Sequence, residues 1–360
     1  MLSGFDILFE RRGVAGVVTL NRPHALNAVS HDMVRALAQQ LAEWEGDGAV
    51  TRVVVVANGG KAFSAGGDLR ALYDLGRAGR HDEQLGYFRD EYALNARIKR
   101  YRKPYVALID GIVMGGGVGI SVHGSHRVAG DRFTFAMPEV SIGFFPDVGG
   151  TWFLPRLPGE LGTYCALTGE RLAAADGVAA GVATHRVASS RFPDLLEALC
   201  GAVSVDALLG AFAQPAGEGP VVARREAIDR LFAGSRVEDI LGRLDAEASQ
   251  NGTWNGNDTE FASATAALMR TKSPTSLKIA LEQMRCGPAL DFAECMRTEF
   301  RIVSRVVRGH DIYEGIRAVI IDKDQAPRWQ PSTVEAVVAA EVERHFAPLA
   351  SELELPESQT

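Results

Sequence analysis

Two glycine-rich loops and two carboxylates in this chain are of types that do chemistry together. Lys61-Ala-Phe63-Ser-Ala65-Gly66-Gly67-Asp68-Leu69 and Gly115-Gly116-Gly117-Val118-Gly119 are built of small residues. With no Cβ in the way, a backbone N–H there can approach a ligand oxygen closely and stabilise negative charge developing on it. Further along, Glu139 follows Met137-Pro138, and Asp147 sits between Pro146 and the Gly149-Gly150 turn. Both lie in apolar sequence, where burial raises a carboxyl pKa toward the working pH and suits it to acid/base work. Backbone donors beside paired carboxylates point to a polarised carbonyl and an acid/base pair.

Each piece alone has a plainer reading. Gly66-Gly67 reads as a tight turn after a strand, and a Glu after proline or an Asp before a glycine turn is commonly a cap or turn residue. Glu91, midway along an amphipathic pattern, reads as solvent-facing. Only the two loops taken together would make an oxyanion hole. No G-x-G-x-x-G register fits the glycines and no Gly-Lys-Ser/Thr is present, so neither nucleotide motif is supported. No cluster of His, Cys and Asp has metal-ligand spacing, and no metal or separate cofactor is expected. Cys165, Cys200, Cys286 and Cys295 lack CxxC spacing and read as thiols of a reducing compartment, none of them catalytic.

The elements that must position these residues alternate between strand and helix. Val14–Leu20 reads as a strand stopped at Asn21-Arg22-Pro23. Ser30 is placed to cap a helix whose stripe is Met33, Leu37, Leu41 and Trp44. Val53–Val56 reads as a strand covered on both faces, and a helix over about Glu83–Tyr101 ends before Pro104. Between them the stretch after Leu69 reads as irregular to about Arg80. Tyr105–Ile109 is the buried strand that delivers the chain to the triple glycine, with a short helix predicted after Gly115. Short strands are expected at Arg127–Ala129, Phe133–Ala136 and Val182–Val187. Helices follow at Leu161–Leu167 and near Asp176. Beyond Arg191 apolar stripes mark helices over Leu195–Val203, Val221–Phe232, Phe261–Met269, Ser276–Met284, Phe292–Val307, Tyr313–Ile321 and Val334–His345. Gln214–Pro220 reads as a surface connection, and the tail after Ala350 as frayed.

Composition narrows the classes. The chain has 360 residues, 46% hydrophobic and 23% charged, which is ordinary for a globular protein. A net charge of −7 argues against a nucleic-acid partner, which needs a basic excess. No apolar run reaches the roughly 18 residues that span a bilayer, and no signal peptide is read at the N-terminus, so a cytoplasmic location is expected.

Together, Lys61–Leu69, Gly115–Gly119, Met137–Glu139 and Phe145–Gly150 resemble the enoyl-CoA hydratase/isomerase (crotonase) superfamily. Arg308-Gly-His-Asp-Ile-Tyr-Glu-Gly-Ile-Arg317 through Asp324 extends the resemblance toward its 3-hydroxyisobutyryl-CoA hydrolase branch. The resemblance implies an α/β (α+β) fold, a spiral of repeated ββα units, with a catalytic core over residues 1–200. A helical region over 201–348 and an acidic tail over 349–360 would complete it. It implies an acyl-CoA substrate and the possibility of a homo-oligomer. By the same resemblance the Gly67 and Gly116 N–H groups would form the oxyanion hole. Glu139 and Asp147 would be catalytic, and Glu91, Ala65, Asp68 and Leu69 would bind substrate. Hydratases of the superfamily carry a second glutamate where this chain has Gly119, so the resemblance implies thioester hydrolysis, with hydration or isomerisation of an enoyl-CoA as the alternative. A non-catalytic acyl-CoA-binding protein is the remote third reading.

Overall fold

Successive side chains of a strand point to opposite faces, so a run such as Val53-Val54-Val55 needs apolar cover on both sides. The computed structural model describes residues 6–249 and 256–355. Its strands are β1 (Ile7–Arg12), β2 (Ala15–Leu20), β3 (Arg52–Ala57), β4 (Ala62–Ser64), β5 (Tyr105–Ile109), β6 (Ile112–Met114), β7 (His126–Ala129), β8 (Thr134–Ala136), β9 (Leu172–Ala173) and β10 (His185–Arg186). One sheet has the order β1-β2-β3-β5-β7-β10 and the other β4-β6-β8-β9. Consecutive strands go to different sheets: β3 then β4, β5 then β6, β7 then β8. A helical segment then returns the chain, which makes each ββα turn of a spiral add one strand to each sheet.

Register gives the two faces their cover. Val17, Val54 and Val106 lie side by side across β2, β3 and β5. Their side chains pack with Leu195, Leu199 and Leu209 of the helices Phe192–Leu199 and Val205–Phe212. Val53 and Val55 face the other way, into the main core. Helix α1 (His31–Gly46) adds Met33, Leu37, Leu41 and Trp44 to that core, all buried, each contributing roughly 1.5–3 kcal/mol of burial. Ser30 caps it as the sequence suggests, accepting from the Met33 N–H at 3.3 Å.

Several expectations are corrected. The segment after Asp68 is not irregular but a helix, α2 (Leu69–Arg77). The helix expected from about Glu83 begins two residues earlier, as α3 (His81–Lys99). Only His185–Arg186 of the expected Val182–Val187 strand joins the sheet, because the chain turns at Gly181 and meets β7 only there. Val334–His345 is broken into a 3-10 turn at Val334–Ala336 and a helix at Ala339–Phe346. β1 and the helices Val205–Phe212 and Val237–Ala248 escaped the sequence reading. The tail does not fray at Ala350: Leu353 is buried and Glu352 pairs with Arg301 at 2.9 Å. Residues 356–360 lie outside the described part. Leu277, Phe300 and Ile316, from helices far along the chain, share one core with the strands.

Candidate active site

The two glycine loops meet because β4 and β6 are parallel neighbours that end side by side. After β4 the chain bridges to Val29: the Val29 N–H donates to the Gly66 carbonyl at 2.8 Å and the Asp68 N–H to the Val29 carbonyl at 3.1 Å. By the alternation of an extended chain, the intervening Gly67 N–H points the other way. After β6 the chain turns at Gly115 (φ 46°), and Gly116 opens a one-turn helix, α4 (Gly116–Gly119). The first N–H of a helix has no partner within it. Neither the Gly67 nor the Gly116 N–H donates to a carbonyl among the described residues. A Cβ at position 116 would stand 2.7 Å from Glu91 Oε1 and 3.2 Å from the Gly67 nitrogen, so only glycine lets these groups share the space.

A cavity of about 400 Å³ opens on this point. Ala65, Gly67, Leu69, Glu91, Gly116, Glu139 and Asp147 all line it. Seven of the eight residues expected to form the site, through side chain or backbone, thus line one cavity. Asp68 is the exception: its carboxylate caps α2 through the Ala71 N–H (3.2 Å) and pairs with Arg22 at 2.8 Å. Phe88 and Phe144, stacked with centroids 5.6 Å apart, form an apolar wall.

Glu91 lies on α3 and is buried, not solvent-facing, because its face of the helix turns inward onto the second glycine loop, with Oε1 2.7 Å from where a Cβ at Gly116 would stand. It accepts from the Tyr87 hydroxyl one helical turn earlier, at 2.9 Å. Burial, and then the Asp147 charge, hold its carboxyl well above the usual range, against the pull of that hydrogen bond. Glu139 begins a 3-10 turn after β8, and its Oε2 is buried without a hydrogen-bond partner among the described residues. Burial first and Asp147 second push its carboxyl well up. Asp147 accepts from the Tyr92 hydroxyl at 3.0 Å, and burial raises its carboxyl to about 7. No Lys or Arg among the described residues pairs with these three acids, so burial and mutual repulsion favour their protonated forms.

The family model for enoyl-CoA hydratase/isomerase matches residues 15–346. The chain belongs to the enoyl-CoA hydratase/isomerase family. Relatives within this family differ in name. A mitochondrial 3-hydroxyisobutyryl-CoA hydrolase of Danio rerio is 45% identical over 96% of this chain and 91% of its own length. The crystal structure of a carnitinyl-CoA dehydratase from Mycobacterium thermoresistibile is 41% identical with a TM-score of 0.91, over 98% of this chain and 99% of that one. An enoyl-CoA hydratase from Rhodobacter sphaeroides 2.4.1 is 39% identical with a TM-score of 0.88, over 98% of this chain and 100% of that one. The spiral of ββα turns expected from the resemblance is thus the fold of the family.

Within the family frame, three parts of the site carried little or no sequence signal. Tyr87 could have been found, being four residues before Glu91 on one helix face. Tyr92 and Asp147 are 55 positions apart and only the fold joins them. Val319 and Ile320 line the cavity from a π-helical turn, Arg317–Ile321, within the C-terminal motif. Arg317 braces that turn through Glu314 at 2.8 Å and Asp322 and Asp324 at 2.6 Å each. Val148, next to Asp147, adopts φ 50°, a strained conformation for a β-branched residue costing about 1–3 kcal/mol. No group of three or more His, Cys, Asp or Glu among the described residues is arranged to hold a metal ion, and no helix among them is long and apolar enough to cross a membrane.

Proposed function

We propose that the chain hydrolyses a short β-hydroxyacyl-CoA thioester, with 3-hydroxyisobutyryl-CoA of valine breakdown as substrate, giving 3-hydroxyisobutyrate and CoA. The observation that carries this is the convergence of the Gly67 and Gly116 N–H groups with Glu139 and Asp147 in one cavity, while position 119 has no room for another carboxylate. A Cβ at Gly119 would stand 2.8 Å from Val148 Cβ and 2.8 Å from Asn95 Nδ2. The glutamate pair that the superfamily resemblance assigns to hydration therefore cannot form.

In this reading the two N–H groups bind the thioester oxygen and strengthen their hold as it becomes an oxyanion; one such donor is worth ~3 kcal/mol of barrier. Glu139, with a desolvated and unpartnered oxygen, takes a proton from water as the water oxygen attacks the carbonyl carbon. The tetrahedral intermediate expels the CoA thiolate, and the proton from Glu139 neutralises it. Direct attack by Glu139 is the other route: CoA leaves, a mixed anhydride forms, and water then cleaves it. Asp147 orients the substrate hydroxyl or the water, and Glu91 fixes the acyl end. Leu69, Phe88, Phe144 and Val319 exclude solvent from the reacting carbonyl.

The names of the two solved relatives favour a second reading, hydration or dehydration of an acyl-CoA. Thiol release from 3-hydroxyisobutyryl-CoA, measured beside hydration of crotonyl-CoA, decides between them. Rapid CoA release that collapses in Glu139→Gln and Asp147→Asn supports the hydrolase. Hydration without thiol release overturns it. For location we propose the cytoplasm, on the four cysteines that stand free, with cell fractionation as the check. Association into a homo-oligomer, by the superfamily resemblance, is read by light scattering.

A further inference from the structure

Asp147 sits on a turn, Pro146–Thr151, closed from within by the Gly150 N–H on the Asp147 carbonyl at 2.8 Å and braced from outside. Val148 is in the left-handed region, and such a conformation persists only where the surroundings over-determine it. The surroundings here come from three distant elements. The His123 Nε2–H donates to the Val148 carbonyl at 2.7 Å. Gln283 Nε2 donates to the Pro146 carbonyl and to Thr151 Oγ1, each at 2.8 Å. Glu299, on the Phe292–Val306 helix, accepts from the Gly149 N–H at 2.8 Å with Oε2 and from the Thr151 N–H at 2.9 Å with Oε1.

Glu299 is fully buried, and no Lys or Arg among the described residues pairs with it. A carboxyl group placed so is costly unless its oxygens are satisfied. Both oxygens are spent on the turn that carries Asp147, two residues and four residues along from it. Burial raises the Glu299 carboxyl to about 8, with the Asp147 charge adding to the rise, which shows how close the two acids are electrostatically.

We propose that Glu299 is a positioning residue: it clamps the Gly149–Thr151 amides so that the preceding Asp147 presents its carboxylate to the acyl group. The helix Phe292–Val306 is then a working part of the site rather than only its cover. This rests on the reading of Asp147 as catalytic. The shape of the side chain is specific to the task. A glutamine keeps one acceptor but turns an NH2 toward the other amide, and an aspartate is one methylene short.

The test is thiol release from 3-hydroxyisobutyryl-CoA by the wild type, Glu299→Gln, Asp147→Asn and the double variant, with thermal melts to confirm folding. Glu299→Gln is expected to lower kcat by about 10- to 100-fold with KM little changed, as misplacement of a reacting group does. The double variant is expected to be no slower than Asp147→Asn alone. An unchanged kcat in folded Glu299→Gln, beside a crippled Asp147→Asn, overturns the clamp while the proposed reaction stands. Losses that multiply in the double variant also overturn it, since Glu299 would then act by another route. Wild-type thiol release in Asp147→Asn removes the catalytic reading of Asp147 and the clamp with it. Should Glu299→Gln not fold, Gln283→Met loosens the same turn from its Pro146 end; a kcat loss that vanishes in the Asp147→Asn background supports the clamp, and an unchanged kcat overturns it.

Discussion

The Tyr92 hydroxyl and Asp147 Oδ2 lie 3.0 Å apart with both side chains buried, joining the middle of α3 to the turn after β8. The hydrogen bond favours the charged carboxylate, while burial, the larger effect, opposes it. Tyr92→Phe removes the donor and leaves the burial, so the Asp147 carboxyl rises further. A hydrogen bond to a charged group is worth about 1.5–3 kcal/mol, or roughly one to two pH units. Profiles of kcat/KM for thiol release should show the Asp147 ionisation displaced upward by about that much, with activity at pH 6 hit harder than at pH 9. An unmoved profile would mean that Asp147 does not work as the carboxylate.

Glu139→Gln keeps the size of the side chain and removes its basicity. Thiol release is expected to fall by roughly 10²–10⁴-fold, the range for loss of a general base, while affinity for the acyl-CoA measured by calorimetry stays within a few-fold. A single turnover in ¹⁸O-water tests for the anhydride route. Label on Glu139, found by peptide mass spectrometry, shows direct attack followed by water at the glutamyl carbonyl; general-base attack leaves Glu139 unlabelled and puts the label in the released acid.

In the proposed reaction Glu139 must lose its proton to act, and burial and Asp147 hold that proton to a pH well above the ordinary carboxylate range. Activity should therefore climb with pH above that range rather than at the pKa of an exposed glutamate. In Asp147→Asn the neighbouring charge is gone, so the Glu139 carboxyl falls. Residual thiol release in this variant should reach its plateau at lower pH than in the wild type. A plateau displaced upward instead would contradict the electrostatic coupling.

Stability should carry the mark of the same buried acids. Asp147 at about 7 and Glu299 at about 8 titrate above their unfolded values near 4, so the folded state binds more protons between those limits. Their stabilising contribution is full below about pH 4 and is lost as pH rises through 7 and 8. Melting temperatures should decline over that span from this cause, and Asp147→Asn should flatten the decline. A slope unchanged by the substitution would show that the group is not buried as described.

Gly119→Glu tests whether the site can be turned toward hydration. Its Cβ would be forced to 2.8 Å from Val148 Cβ, so the variant is expected to lose about 1–3 kcal/mol of stability by overpacking. Chemical denaturation measures that loss, and crotonyl-CoA hydration should not appear. A stable variant that hydrates crotonyl-CoA would show that the glycine alone sets the reaction.

Much of this protein was legible because its cues are local. The Val53–Val56 run and the Met33, Leu37, Leu41 and Trp44 stripe obey the periods of strand and helix, and the structure places them as read. The glycine loops and the Glu139 and Asp147 segments marked the cavity, since close backbone approach and proline-bounded carboxylates are written in short stretches of residues. Asp68 was ambiguous because a carboxylate beside a glycine loop looks the same whether it meets a substrate or caps the next helix, and the structure shows it capping α2. Glu91 could not be judged from α3 alone: it is buried against the glycine loop at Gly116, on another element of the chain, and its burial is a property of that contact. The same holds for Tyr92 on Asp147 and for Glu299 on the Gly149 and Thr151 amides, separations of 55 and about 150 positions. The amino-acid order by itself determined which groups could do the chemistry. Tertiary packing alone decided which carboxylates are desolvated and what holds them, because burial and charge proximity depend on distance in space and leave no pattern along the chain.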